Sequence, residues 1–255
     1  MSVACPRPVT NQLLDCLPHN EQNRVLEQCE MVELEFGNIL CERDRPFRYL
    51  YFPTTCFVSL VTTLGGKHPL ELGLIGSEGM LGATMALGVN IAPSRAVVQG
   101  SGTALRISSD QLRRALRDSP LFQRALKHYL YVLLAQLTQN AACVHFHEIE
   151  PRLARWLLMT QDRAHQDTFH LTHQFLADML GVRRSGVTVA AGALQLRGLI
   201  AYNRGDITIL DRSGLELASC ECYRVMLNDH ARLLPMRTSS ATQTNAAHDG
   251  EIDGI

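Results

Sequence analysis

Two adjacent arginines, Arg183 and Arg184, stand just past Gly181, with Ser185 and Thr188 close behind them. A guanidinium presents paired donors that fit guanine O6 and N7 or a phosphate, and a hydroxyl can serve either. The residues around them say what would hold these groups. Upstream, Thr172 can cap a helix whose apolar positions are Leu176, Met179 and Leu180, with Ala177 small enough for a second helix to cross closely. Gly181 supplies the left-handed backbone that a three- or four-residue turn needs, and Val182, Val187 and Ala190 begin a second apolar stripe. This spacing predicts a helix-turn-helix with the arginine pair at the start of its second helix.

Beyond it, Leu199–Tyr202 and Ile207–Leu210 flank Asn203-Arg204-Gly205-Asp206. That is a hairpin with a turn-competent tip, a wing placing Arg204 where it can reach a phosphate. The fold class is therefore α+β, and the remaining patterns supply its other half. Val32, Leu34 and Phe36 alternate with Glu33, Glu35 and Gly37, and Leu70, Leu72 and Leu74 alternate with Glu71 and Gly73. Cys56–Leu64 runs into Gly65-Gly66, and Arg95–Gln99 and Thr103–Ile107 read as two further strands. Short strands at this spacing form an antiparallel roll.

After Ser109 the period becomes helical. Gln111–Arg117 is a short helix, and Ser119-Pro120 caps a longer one running from Leu121 to about Glu148 without Gly or Pro. Phe122, Leu126, Tyr129, Leu133 and Leu137 make its main stripe, and Leu121, Ala125, Leu130 and Val132 make a second. One face can cover the roll while the other meets its copy in a homodimer; the main stripe is assigned to the dimer. The expected division is a β-roll sensor at 10–118, a dimer helix at 119–148, the winged helix-turn-helix at 149–225, with Pro151 starting its first helix, and a disordered tail at 236–255.

Charge narrows the partner. The formal net charge is -1, so any polyanion must meet a local patch. Residues 151–235 carry 10 Arg against 8 acidic residues, whereas 1–150 carry 13 basic against 14 acidic. The patch belongs in the C-terminal third. No apolar run approaches a bilayer span and the N-terminus is not that of a signal peptide, so a cytoplasmic protein without membrane partners is expected.

Other chemistry is poorer. Cys143 and His147 lie one helical turn apart with His145 near and can share a metal, but a helix end crossing into the next domain explains them more simply. No metal site is assigned. Cys220 and Cys222 read as packing residues of a final helix, and the 8 cysteines, with no Cys-x-x-Cys, as mostly reduced and buried. Cys5, Cys16 and Cys29 are spaced too widely for an iron–sulfur cluster, and Cys5-Pro6 is a weak haem-ligand signal. The chain has no nucleophile elbow, phosphate-cradling glycine motif or zinc-protease helix, so an enzyme is the poorest reading.

With Leu171-Thr172-His173-Gln174 through Gly181-Val182-Arg183-Arg184 and Val187, the chain resembles the Crp/Fnr superfamily of bacterial transcription regulators over roughly residues 10–225. Gly37-Asn38-Ile39-Leu40, Tyr51-Phe52-Pro53, Gly76 and Gly82 add a looser match in the roll. The resemblance implies a homodimer on near-palindromic double-stranded DNA, with RNA polymerase a further candidate partner. It places Arg184 as the guanine-reading arginine and Thr172 and Gln174 at phosphate, with His173 beside them. Ser185 and Val189 replace a glutamate and an arginine of the cyclic-AMP receptors, which implies a different operator. Arg183 replaces a serine cap. The effector pocket would lie at Gly82-Ala83-Thr84 and Ser94-Arg95-Ala96, where no carboxylate matches the family's ribose acceptor; cyclic AMP is not expected, and the effector is unidentified. The competing reading is a ligand-, redox- or metal-sensing roll whose helical domain binds a protein.

Overall fold

The computed structural model describes residues 11–65 and 68–234. The expectations for Cys5-Pro6 and for the tail 236–255 concern residues outside that range. Two short helices, α1 (Gln12–Asp15) and α2 (His19–Leu26), open the described chain. The Asn11 side chain accepts from the Leu14 N–H to cap α1, while its amide donates to the carbonyls of Pro53 and Gly79. Leu13, Leu14 and Leu17 are thereby pinned in the core of the roll.

The roll has seven strands: β1 (Glu30–Leu34), β2 (Ile39–Cys41), β3 (Tyr49–Pro53), β4 (Phe57–Leu64), β5 (His68–Ile75), β6 (Arg95–Gly100) and β7 (Gly102–Ser108). They form two antiparallel sheets, ordered β1-β7-β3 and β2-β6-β4-β5. A 3₁₀ turn at Ala83–Leu87 separates β5 from β6. The sequence pattern located β1, β4, β5, β6 and β7 as strands but not β2 or β3. Four of the five β3 residues are buried, so it has no polar face to betray a period of two.

Helix α3 (Ser109–Asp118) starts with a reciprocal capping box between Ser108 and Gln111. Ser119 caps α4 (Pro120–Phe146), whose 27 residues span about 40 Å. His147 and Glu148 break the helical path, and α5 (Ile149–Ala164) follows with Pro151 inside its first turn, where no intrahelical donor is lost. Then come β8 (Thr168–His170), α6 (His173–Leu180), α7 (Arg184–Leu196), β9 (Ile200–Asn203), β10 (Asp206–Ile209), α8 (Arg212–Ala218) and α9 (Cys222–Leu233). The wing is a three-stranded sheet, β8-β10-β9, where the sequence suggested only a hairpin.

The stripe on α4 needs correction. Phe122, Leu126 and Tyr129 are at most 3% exposed and belong to the roll's own core, with Leu133 packed on that core and Leu137 beside Gly73. Phe122, Leu126 and Tyr129 therefore offer no surface to a second copy. The apolar side chains left outward near the helix centre are Tyr131 and Leu134, 54% and 61% exposed. The periodicity was sound; which face met the subunit's own sheet was not readable from it.

The roll and the helical part are not separate lobes. Phe57, Val61 and Leu74 of the roll join the apolar core built by α5 to α8. Helix α6 lies on β5, with Gln99 donating to the Met179 sulfur at 3.1 Å. Among the described residues, no helix is long and apolar enough to cross a membrane.

Candidate nucleic-acid interface

The turn between α6 and α7 has the predicted construction. Thr172 Oγ1 accepts from the Phe175 N–H and starts α6. Gly181 ends it at φ 64° and ψ 40°, the left-handed region, and the Val182 N–H returns to the Ala177 carbonyl at 3.0 Å. The apolar side of the pair, Leu176, Ala177, Leu180, Val187, Ala190 and Leu194, is buried in one core. That burial fixes which side of α7 faces outward.

Arg183 occupies the N-cap of α7 without making a side-chain cap. Arg183, Arg184, Ser185 and Thr188 are all exposed, and Val189 is 74% exposed beside them. Two guanidinium groups therefore stand at a helix N-terminus, whose own partial positive charge adds to the attraction for an anion. Thr188 Oγ1 bonds back to the Arg184 carbonyl at 3.1 Å.

The first helix contributes less than its three assigned residues suggested. Thr172 and Gln174 are exposed, although Gln174 donates to Asp178 at 2.9 Å. His173 is half-buried, and its ring is engaged within the domain. Its ring stacks on Tyr202 with centroids 4.1 Å apart, Nδ1 lies 3.0 Å from Thr188 Oγ1, and Nε2 is buried. Burial, followed by the charge of Arg184, depresses its pKa, which favours the neutral imidazole. The residue orients Thr188 and joins the wing to α7. Gln195, which accepts from the Tyr202 N–H at 3.1 Å, makes a second such tie, and the sequence pattern did not single out either tie.

At the wing tip Arg204 and Gly205 have φ of 50° and 97°. Asn203 pairs with Asp206 across them, so positive φ at both central residues makes a two-residue type I′ loop. Arg204 is exposed there.

The roll's proposed ligand pocket is nearly closed. Gly82, Ala83, Thr84 and Ser94 line a cavity of about 30 Å³ walled by Phe47, Leu60 and Met80. Small-molecule sites hold about 300–1,000 Å³, far above this volume. Arg95 does not enter it; the side chain lies outside, paired with Glu42 at 2.9 Å. Ala96 is fully buried in the core.

Residues 151–218 match the Crp-like helix-turn-helix domain family. No curated protein matches the sequence significantly. Solved structures resemble the whole arrangement. The c-di-GMP-responsive global regulator CLP of Xanthomonas campestris is 18% identical, with 75% of this chain and 99% of that one covered at a TM-score of 0.62. FixK2 of Bradyrhizobium japonicum is 16% identical, covering 75% and 98% at 0.61. A CRP/FNR-family transcriptional regulator of Thermus thermophilus is 20% identical, covering 74% and 98% at 0.62. As the resemblance in the sequence implied, residues 151–218 are a Crp-like helix-turn-helix domain and the chain has the fold of the Crp/Fnr transcription regulators.

Proposed function

We propose that the protein is a homodimeric, sequence-specific DNA-binding transcription regulator, not an enzyme. The observation that carries this reading is the exposed Arg183–Arg184 pair at the free N-terminus of α7, backed by a packed helix-turn-helix. Arg184, Ser185 and Thr188 are assigned to base edges, Arg183, Thr172, Gln174 and Arg204 to phosphates. Val189 adds an apolar surface suited to a thymine methyl. Two copies related by a twofold axis would place their α7 helices in successive major grooves about 34 Å apart, which calls for a near-palindromic site.

Cyclic AMP is not the effector in this reading. The 30 Å³ cavity and the outward Arg95–Glu42 pair support that conclusion. An effector of any other kind acts only insofar as it binds the DNA-competent arrangement more tightly than the alternative.

Selection of bound duplexes from a random pool tests the proposal. The expected product is an inverted repeat with half-sites about one helical turn apart. Recovery of no sequence above background, with binding that does not weaken as salt rises, would favour a protein partner for the helical domain instead.

A further inference from the structure

Four side chains outside the DNA-facing surface converge where α4 meets the start of α9. The ligand atoms of Cys143, His147, Cys220 and Cys222 all lie within 4.8 Å of one another. Cys143 and His147 sit one turn apart at the end of α4, so both project from the same face. Cys220 and Cys222 are separated by one residue, and only Cys222 belongs to α9; Cys220 precedes it, contrary to the placement of both in the helix. The two pairs are brought together by folding across more than 70 residues of chain.

We propose that Cys143, His147, Cys220 and Cys222 form a mononuclear site for a thiophilic divalent cation of the zinc type. Two edges of the cluster have the length a tetrahedral ion requires, and all four ligand atoms lie within 4.8 Å of one another. A tetrahedral zinc with bonds of about 2.3 Å to sulfur and 2.0 Å to nitrogen separates two sulfurs by roughly 3.8 Å, and sulfur from nitrogen by roughly 3.5 Å. Here Cys143 and Cys220 sulfurs are 3.6 Å apart, and Cys222 Sγ lies 3.5 Å from His147 Nδ1. The four atoms are too close together to enclose an iron–sulfide cluster, and three sulfurs with one imidazole suit zinc better than a hard cation.

The surroundings are those of a metal-thiolate centre. His147 directs Nδ1 into the cluster and Nε2 toward Glu221 Oε1 at 3.2 Å, so the carboxylate fixes the tautomer that leaves Nδ1 free to coordinate. Gln139 donates to Cys222 Sγ at 3.1 Å. Arg152 and Arg155 are each buried, each with an unpartnered Nε. Zinc bound by three thiolates carries a net charge of -1, which complements these two buried guanidinium groups. Binding releases the thiol protons to solvent. Because His147 is itself the break between α4 and α5, a bound ion fastens that hinge to the start of α9.

Full-length protein, fully reduced, loaded with Zn²⁺ and desalted, is expected to retain one zinc per chain. Titration with Co²⁺ should give the thiolate charge-transfer absorption and the intense visible bands of tetrahedral cobalt, saturating at one ion per chain. Cys222→Ser should abolish the charge-transfer band or shift it. Glu221→Gln changes only an exposed side chain and should leave the fold intact while weakening cobalt binding by about 10- to 100-fold. Cys41→Ser, on β2 in the roll, should change neither spectrum nor stoichiometry. Reduced wild-type protein that retains no zinc, or a cobalt spectrum without thiolate bands, overturns the proposal. So does equal binding by wild type, Cys222→Ser and Glu221→Gln. The readout involves no DNA, so it stands or falls apart from the regulatory reading.

Discussion

The Trp156 indole N–H donates to Glu71 Oε1 at 2.8 Å, joining α5 to β5. Ser59 donates to the other carboxylate oxygen, and Asn140 of α4 donates to the Glu71 and Leu72 carbonyls while accepting from Arg155 at 2.7 Å. One polar network thus links the roll, the long helix and the helix-turn-helix. In such a network each member holds the orientation of the others, and an orphaned one is costly.

Glu71→Ala should therefore destabilise the protein by about 1–3 kcal/mol through the unpartnered indole and Ser59 hydroxyl, whereas Glu71→Gln, which keeps an acceptor for Trp156, should lose less. Burial raises the Glu71 pKa despite the hydrogen bonds from Ser59 and Trp156. The folded state thus holds this proton more tightly than the unfolded state does. Its contribution is fully present below the unfolded value of about 4.3 and is lost as pH rises through the folded pKa. Urea unfolding across that range should show a falling limb in wild type that Glu71→Gln lacks. Parallel profiles would place the titration elsewhere.

The two arginine positions should separate cleanly on DNA. Arg184→Ala is expected to weaken binding to the selected site by about 1–3 kcal/mol with little change on random duplex. Arg204→Ala, at the wing tip, should weaken both alike and reduce the slope of log affinity against log salt by about 1. Fluorescence anisotropy at several salt concentrations makes the comparison. Equal losses on both duplexes for Arg184→Ala would remove its base-reading role.

The helix-turn-helix was legible because each of its positions has a local steric reason: a hydroxyl at Thr172, a small side chain at Ala177, and free φ at Gly181. The strand pattern was readable where one face met solvent. It failed where neither did. Glu71 reads as the outward member of an alternating strand yet is 6% exposed, because α5 covers that face and Trp156 supplies the donor. Likewise Cys143 and His147 were visible as a pair, but nothing local brings Cys220 and Cys222 to them. That meeting depends on α9 packing along α4, a tertiary fact without periodicity.

Gly181 carries a second constraint that its turn alone does not reveal. At φ 64° a side chain is already strained, and a Cβ there would lie 2.8 Å from Leu70 Cδ1 on β5. Gly181→Ala is expected to lower stability by about 1–2 kcal/mol from the backbone alone, with more from the clash. Adding Leu70→Ala should return only the clash portion, measurable by a double-mutant cycle in urea. Strict additivity would mean that the α6–β5 contact does not bear on this turn.

With Phe122, Leu126 and Tyr129 committed to the roll, the proposed homodimer would have to use what α4 leaves outside. Tyr131, Leu134, Thr138, Ala141 and His145 are exposed and recur at steps of 3, 4, 3 and 4 residues, the 3.5-residue period of a paired helix. Leu134→Glu would then place two carboxylates against each other in the proposed dimer while lying largely at the surface of a single subunit. The variant should keep the helical circular dichroism of wild type, elute as a monomer with multi-angle light scattering, and lose DNA affinity at least tenfold. Leu126→Glu should instead unfold the roll, because that residue is fully buried in it. A Leu134→Glu protein that remains dimeric at micromolar concentration and neutral pH would rule out this face, since two ionised carboxylates in a desolvated seam repel.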